Sequence, residues 1–101
     1  MTDVAKTLEE RGTRYGEFPD HARVTQRLKR VITSELGIRN KDLADDQSEA
    51  LDMICHKIGR IVSGDADYAD SWHDIAGYAK LVDDRLTSGI VEIPKTKLRR
   101  T

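Results

Sequence analysis

The amino-acid sequence predicts an all-α protein with a helical hairpin and a four-helix, bundle-like protomer. Three observations carry this prediction: apolar residues recur at helical spacing, glycines stand where the helical segments end, and a short turn joins the last two segments. We expect one α-helical domain over residues 1–89 and an extended basic C-terminal tail over residues 90–101. A chain of 101 residues has little room for both a core and a deep pocket, so we also expect a homo-oligomer, a dimer or tetramer.

The first half of the chain predicts two helices separated by a loop. A short helix over residues 3–11 should end at Gly12. The segment GTRYGEFP that follows contains two glycines and a proline, which is typical of a loop. A second helix should begin at Pro19, because proline suits the first turn of a helix, and it should run to about Leu36 with Gly37 as its stop.

The second half predicts an antiparallel pair of longer helices. The third helix should begin near Asp45 and end before Gly64. The turn SGDADYA leads into the fourth helix, with Asp67 as its N-cap and Gly89 as its end. The segment IVEI beyond it is compatible with a short strand or an extended arm. The apolar stripe of the fourth helix consists of Trp72, Ile75, Ala76, Ala79, Val82 and Leu86.

Composition excludes several functional classes. The net charge of −1 argues against nucleic-acid binding by bulk electrostatics. No apolar run approaches the roughly 20 residues that span a bilayer, and the first residues lack the apolar region of a signal peptide, so we expect a cytoplasmic protein without a membrane partner. The single cysteine, Cys55, lies among isoleucines at helical spacing and is expected to be a packed core thiol.

Each of the two long helices carries a polar line opposite its apolar stripe. Such lines are often simply exposed to solvent. However, Gly59 and Gly77 stand in mid-helix, where glycine lowers helix stability by about 1 kcal/mol relative to alanine. A close neighbour, either another helix or a bound ligand, would compensate for that cost. The two lines consist of Glu49, Asp52, His56 and Arg60 on the third helix and of Asp70, His73, Asp74 and Gly77 on the fourth.

These polar lines allow two kinds of site. Carboxylates three or four residues apart on facing helices are a common way to hold a divalent metal, and oxygen ligands suit Mg²⁺. Cations stand beside the acids, and they would either pair with the acids or bind phosphate. The metal-ligand candidates are Glu49, Asp52, Asp70 and Asp74, and the neighbouring cations are His56, Lys57 and Arg60.

The run LDMICHKIGRIVSGDADYADSWHDIAGYAKLVDDRL, together with ERGTRYGEF, resembles a family of short phage-encoded proteins known as a domain of unknown function, over roughly residues 8–86. That family is similar to the MazG-like all-α nucleotide pyrophosphohydrolases, oligomers that hold Mg²⁺ with an ExxE and an ExxD motif. On this resemblance, Glu49 and Asp52 match the first motif with one Glu shortened to Asp. Asp70 begins the second, but His73 stands where its carboxylate belongs and Asp74 follows one position late.

The resemblance implies nucleotide binding, and the altered second motif favours binding without hydrolysis. We therefore expect a phage protein that sequesters a cyclic nucleotide immune signal, a cyclic dinucleotide or ADP-ribose-type molecule of CBASS or Thoeris defence, in the cytoplasm of the infected bacterium. No catalytic residue and no cofactor are expected. The alternatives are a Mg²⁺-dependent pyrophosphohydrolase and a helical adaptor for a host protein. The expected ligand-binding residues are Arg11, Arg14, Tyr15, His56, Lys57, Arg60, Asp70, Trp72, His73 and Asp74.

Overall fold

The structure, a computed structural model, describes residues 2–88 as four α-helices without a strand. The helices are α1 (Thr2–Tyr15), α2 (Phe18–Ile38), α3 (Asp45–Ser63) and α4 (Ala69–Ser88). The all-α, bundle-like prediction is confirmed, and none of these helices has the length and hydropathy needed to cross a membrane. The predicted helix end at Gly89, the possible IVEI strand and the basic tail lie outside the described residues.

The first two helices are longer than the sequence predicted. α1 continues through Gly12 to Tyr15, because contacts with the rest of the fold outweigh the cost of about 1 kcal/mol for glycine in a helix. The predicted loop shrinks to Gly16 and one further residue, and Gly16 has a φ of +83°, a conformation that favours glycine. α2 then begins at Phe18, one residue earlier than predicted, and ends two residues later than predicted.

α3 and α4 form the predicted antiparallel hairpin. Arg85, near the end of α4, donates two hydrogen bonds of 2.5 and 2.7 Å to the carboxylate of Asp46 at the start of α3. Further along, the Lys57 ammonium lies 3.1 Å from the Asp74 carboxylate. Each of these side-chain contacts joins the first part of one helix to the last part of the other, so the two helices run in opposite directions. The bounds of α3 agree with the prediction.

α3 is the central helix, with α2 on one side and α4 on the other. A Cβ atom on Gly59 would overlap the Thr25 hydroxyl and would lie 2.7 Å from the His21 carbonyl oxygen. The Thr25 hydroxyl also donates a hydrogen bond of 3.4 Å to the Cys55 carbonyl oxygen. The close neighbour expected for Gly59 is therefore α2. For Gly77 no atom lies within 4 Å of the Cβ position within the described part of the chain.

The protomer buries few apolar side chains. Among residues 3–88, Ala50 and Cys55 are the only buried hydrophobic residues, and no large side chain is fully buried. Burial raises the pKa of the Cys55 thiol, which keeps it protonated, and the predicted core thiol is confirmed. The exposed large hydrophobic residues are Val4, Leu8, Phe18, Val31, Ile38, Val62, Trp72, Leu81 and Leu86.

The packed face of α4 differs from the predicted one. Ser71 is buried, and Ile75, Tyr78 and Val82 are half-buried against the rest of the chain. Asp74 lies on the same face, three residues after Ser71, and its carboxylate pairs with Lys57 of α3. The predicted stripe is therefore only partly correct, since four of its residues are exposed: Trp72, Ala76, Ala79 and Leu86. These four residues are called the α4 apolar strip below.

Candidate functional site

Two glycines join the end of α1 to the end of α3. A Cβ atom on Gly16 would overlap the backbone of Ser63, and a Cβ atom on Gly64 would overlap the backbone of Tyr15. The backbone N–H of Asp65 donates a hydrogen bond of 2.8 Å to the carbonyl oxygen of Arg14 across this junction. Because the two backbones can approach this closely only without side chains, both glycines fix the last turn of α1 against the last turn of α3.

The junction places an aromatic ring beside two guanidinium groups. The guanidinium carbon of Arg60 lies 4.0 Å from the centre of the Tyr15 ring, and that of Arg11 lies 5.6 Å from the same centre. Both distances fall within the roughly 6 Å over which a cation is attracted to an aromatic face. Arg11 comes from α1 and Arg60 from α3, so the cluster depends on the tertiary fold.

This cluster forms one wall of a pocket between α1, α3 and the start of α2. The pocket has a volume of about 380 Å³. Leu8 and Pro19 contribute apolar surface to its lining, and Glu17 contributes its one carboxylate. The remaining side chains of the lining are aromatic or basic: Arg11, Tyr15, Phe18, His21, His56 and Arg60. We call this cavity the Tyr15 pocket.

Two histidines face each other in the Tyr15 pocket. The ring centres of His21 and His56 lie 5.8 Å apart, and the ring of Phe18 lies 5.2 Å from that of His21. Burial, followed by the charge of Arg60, lowers the pKa of His56 to about 4, and the same two causes lower the pKa of His21. Both imidazoles are therefore neutral at pH 7.

Two residues of the pocket lining contain a buried nitrogen atom without a hydrogen-bond partner in the described part of the chain. His21 is only 6% exposed, and its Nδ1 atom has no hydrogen-bond partner. The Nε atom of Arg60 is also buried without a partner. Within residues 2–88, neither Arg11 nor Arg60 forms an ion pair with a carboxylate. The charges of these two arginines are therefore available to an anionic ligand in the pocket.

A second arginine–tyrosine pair lies next to the pocket. The guanidinium carbon of Arg14 lies 5.3 Å from the centre of the Tyr68 ring, and the rings of Tyr15 and Tyr68 lie 5.9 Å apart, edge to face. The Tyr68 hydroxyl donates a hydrogen bond of 3.1 Å to the Asp70 carboxylate. Arg14 and Asp70 thus lie outside the lining of the Tyr15 pocket but are connected to it through the two tyrosines.

Four other predicted ligand-binding residues lie away from the pocket. Lys57 is buried and pairs with Asp74, because packing of α3 against α4 brings them together. The indole N–H of Trp72 donates a hydrogen bond of 2.8 Å to the Ala66 carbonyl oxygen. His73 is exposed on α4. None of the four belongs to the pocket lining.

The four candidate metal ligands do not converge within one chain. In the part of the chain that the structure describes, no three His, Cys, Asp or Glu side chains are grouped so that they could hold a metal ion. Glu49 and Asp52 are exposed on α3, whereas Asp70 and Asp74 belong to α4, where each already has a partner. A Mg²⁺ site built from these four residues would need carboxylates from another copy.

Four of the eleven residues that line the pocket were predicted from the sequence to bind the ligand. These four are Arg11, Tyr15, His56 and Arg60. The charged or aromatic residues that were not predicted are Glu17, Phe18 and His21, and the remaining lining residues are Leu8, Gly12, Gly16 and Pro19. A signal for His21 was present, since it lies one turn before Val24 and Thr25 on the side of α2 that packs against α3.

A family profile described as a domain of unknown function, DUF6378, matches residues 1–85. The match covers most of the chain, and the protein belongs to this family. No curated protein and no solved structure matches the chain. Evidence about function therefore comes from the chemistry of the Tyr15 pocket.

Proposed function

We propose that the protein binds a nucleotide in the Tyr15 pocket and sequesters it without hydrolysis. The observation that carries this proposal is the contact of Arg60 with the Tyr15 ring beside two neutral histidines. Guanidinium groups recognise phosphate through paired charge-assisted hydrogen bonds, and aromatic faces stack on bases. In this arrangement Arg11 and Arg60 bind phosphate, while Tyr15 or Phe18 stacks on the base.

The size of the pocket supports a ligand of one nucleotide unit. Its volume of about 380 Å³ lies at the lower end of the roughly 300–1,000 Å³ found for small-molecule sites. A cyclic dinucleotide or an ADP-ribose-type signal would place one nucleotide in the pocket and extend the other outward. Arg14 and the Tyr68 ring lie next to Tyr15, and in this proposal they contact that second unit.

The sequestering role rests on the likeness of the chain to short phage-encoded proteins. Those proteins are similar to nucleotide pyrophosphohydrolases, yet here the second metal motif is altered at His73. A protein that keeps a nucleotide site without the hydrolytic motif would lower the free concentration of its ligand. We propose that the ligand is an immune signal of the bacterial host, in whose cytoplasm the protein would act.

The proposal includes self-association through the α4 apolar strip. The strip contains Trp72, which is 55% exposed, and a second copy of the chain is the occupant we propose for it. A protomer whose only buried hydrophobic residues, within 3–88, are Ala50 and Cys55 gains stability by burying more apolar surface. Multi-angle light scattering should give a dimer or tetramer, and Trp72→Asp should yield a monomer. A wild-type monomer at all concentrations would contradict self-association.

The proposal is tested by native mass spectrometry followed by calorimetry. Protein purified from bacteria with an active nucleotide-based defence should retain a small molecule whose mass identifies the ligand. Calorimetry with cyclic dinucleotides, cyclic ADP-ribose isomers and nucleoside monophosphates should then show binding to at least one of these classes. The mass of the bound molecule should stay unchanged on prolonged incubation with Mg²⁺. If no nucleotide is retained and none in the panel binds, the proposed function is wrong.

A further inference from the structure

The charges that line the Tyr15 pocket leave it with one net positive charge. Arg11 and Arg60 contribute two positive charges, and Glu17 contributes one negative charge. With His21 and His56 neutral, two minus one gives a net charge of plus one. A ligand with one negative charge is balanced by this lining, whereas a dianion requires one further positive charge.

The donors in the pocket suit a phosphate with a full set of free oxygens. Two guanidinium groups and two imidazoles, those of Arg11, Arg60, His21 and His56, line one cavity. A phosphate monoester presents three strong acceptor oxygens and carries close to two negative charges above its second pKa of about 6. A phosphodiester has one free oxygen fewer and a single negative charge, so it would leave more of these donors unsatisfied.

We propose that the Tyr15 pocket takes a terminal phosphate monoester together with one proton, which is held by the facing imidazoles of His21 and His56. This inference rests on the proposed binding of a nucleotide in the pocket. Within that proposal it favours nucleotides with a terminal phosphate over cyclic dinucleotides and ADP-ribose-type molecules, whose phosphates carry no such terminal group. The proton moves from solvent to an imidazole nitrogen when the dianion enters, and the imidazolium then donates a hydrogen bond to a phosphate oxygen. The lining becomes doubly positive and matches the dianion.

The groups around the two imidazoles explain why the free pocket does not hold this proton. Neutral His56 and the cations Arg11 and Arg60 face His21 from α1 and α3, and Glu17 is the one carboxylate at the pocket. Around His56 the cations are Arg60 and Lys57 from its own helix and Lys29 from α2, and Lys57 is paired with Asp74 of α4. This positive surrounding, together with burial, disfavours an imidazolium until a dianion reverses the local potential.

Because binding is coupled to the uptake of a proton, the ligand should bind more tightly at lower pH. Because the complex holds one proton more than the free components, the affinity should rise about tenfold for each unit by which the pH falls from 8 to about 6.5. The dependence should end as the pH approaches 6, where a free monoester takes up a proton itself. A diester, which needs no further positive charge, should bind with little pH dependence.

Proton uptake is measured by calorimetry at pH 7.5 in two buffers that differ in ionisation enthalpy. The probes are adenosine 5′-monophosphate, sulfate and adenosine 3′,5′-cyclic monophosphate. The first two are dianions, and sulfate cannot take up a proton in this range, so uptake with sulfate places the proton on the protein. We expect close to one proton per bound monophosphate or sulfate, and close to none per bound cyclic monophosphate.

Histidine variants locate the proton. His56→Gln and His21→Gln each remove one imidazole of the facing pair, so either should reduce the uptake, and the double variant should abolish it. His73→Gln, which changes the exposed third histidine of the chain, should leave it at the wild-type value. If loss of buried His21 prevents folding, His56→Gln alone keeps the test available, because it should still reduce the uptake.

The outcomes separate this inference from the proposed function. If the probes bind without proton uptake, if the cyclic diester takes up as many protons as the monoester, or if His56→Gln leaves the uptake unchanged, the inference is overturned while nucleotide binding stands. Binding of the cyclic diester without binding of the monoester or sulfate would also overturn the inference and leave nucleotide binding in place. If none of the three probes binds, and the wider nucleotide panel also fails, both the inference and the proposed function are overturned.

Discussion

The guanidinium carbon of Arg60 lies 4.0 Å from the centre of the Tyr15 ring, although the two residues are separated by most of α2 and α3. The close approach of Gly16 and Gly64 to the opposite backbones makes this contact possible. The arginine has no carboxylate partner among residues 2–88, and its buried Nε atom has no hydrogen-bond acceptor. The same junction that closes the fold therefore presents a cation and an aromatic face to a ligand.

Tyr15→Leu should weaken nucleotide binding without unfolding the protein. Stacking of a base on an aromatic side chain contributes about 1–3 kcal/mol, so the loss should be on the order of tenfold to 100-fold in Kd. Calorimetry with a nucleotide that binds the wild-type protein measures the change. Tyr78→Leu is the matched control, because Tyr78 is also half-buried but lies on α4 outside the pocket. Equal effects of both variants would argue against stacking on Tyr15.

Gly59→Ala and Gly77→Ala should change stability in opposite directions. A methyl group at Gly59 would overlap Thr25 and force α2 away from α3, which should cost about 1–3 kcal/mol. At Gly77 a methyl group meets no atom of the described chain, so alanine should stabilise the helix by roughly 0.5–1 kcal/mol. Urea unfolding measures both. If Gly77→Ala were strongly destabilising, a second copy would have to lie against that position.

The helices were predictable from the sequence to the extent that local signals determine them. The bounds of α3 follow from the acidic start at Asp45 and from Gly64, and the structure agrees with both. Gly12 was misjudged as a helix end because the preference against glycine in a helix is small, and contacts of α1 with α2 and α3 reverse it. The true break at Gly16 depends on a backbone approach to Ser63, which no local pattern reveals.

Asp74→Asn should reduce stability and leave nucleotide affinity unchanged. The variant removes the charge that Lys57, a buried side chain, meets at 3.1 Å, and an uncompensated ammonium of this kind costs about 1–3 kcal/mol. Thermal unfolding and calorimetry on the same sample distinguish this result from the hydrolase alternative, in which Asp74 is a metal ligand and its loss abolishes pyrophosphate release. Detection of pyrophosphate release by the wild type that disappears in Asp74→Asn would favour the enzyme.

Stability should fall between pH 6.5 and pH 4.5, partly because of His56. The pKa of His56 is lowered to about 4 in the folded protein, against about 6.5 in the unfolded chain, so the unfolded chain binds more protons across this window. The contribution is fully present above pH 6.5 and is lost as the pH falls toward 4. Allowing for partial solvent access, we expect roughly 2 kcal/mol.

His56→Gln should make the free energy of unfolding less dependent on pH in this window, since glutamine does not titrate. Urea unfolding at intervals of half a pH unit measures the effect, with His73→Gln as the control. An unchanged slope in His56→Gln would mean that His56 titrates normally in the folded protein. His21, whose pKa is lowered for the same reasons, should add a smaller dependence of the same sign.

The site was less predictable than the fold, because its members meet across helices. Tyr15 was expected in a loop and in fact lies in the last turn of α1. The cations of α3, His56, Lys57 and Arg60, were expected to bind phosphate together. However, α3 lies between two helices, and its opposite sides contact different neighbours. His56 and Arg60 point into the Tyr15 pocket, and Lys57 points toward α4.

The most direct test of nucleotide binding at the Tyr15 pocket is calorimetric titration of Arg60→Gln alongside Arg27→Gln. Arg27 is exposed on α2 outside the pocket, so its variant removes the same charge from the protein and leaves the site intact. Loss of a charge-assisted hydrogen bond costs about 1.5–3 kcal/mol, so Arg60→Gln should weaken the nucleotide by roughly tenfold to 150-fold and Arg27→Gln should match the wild type. Equal affinity of Arg60→Gln and the wild-type protein would contradict the assignment of the pocket.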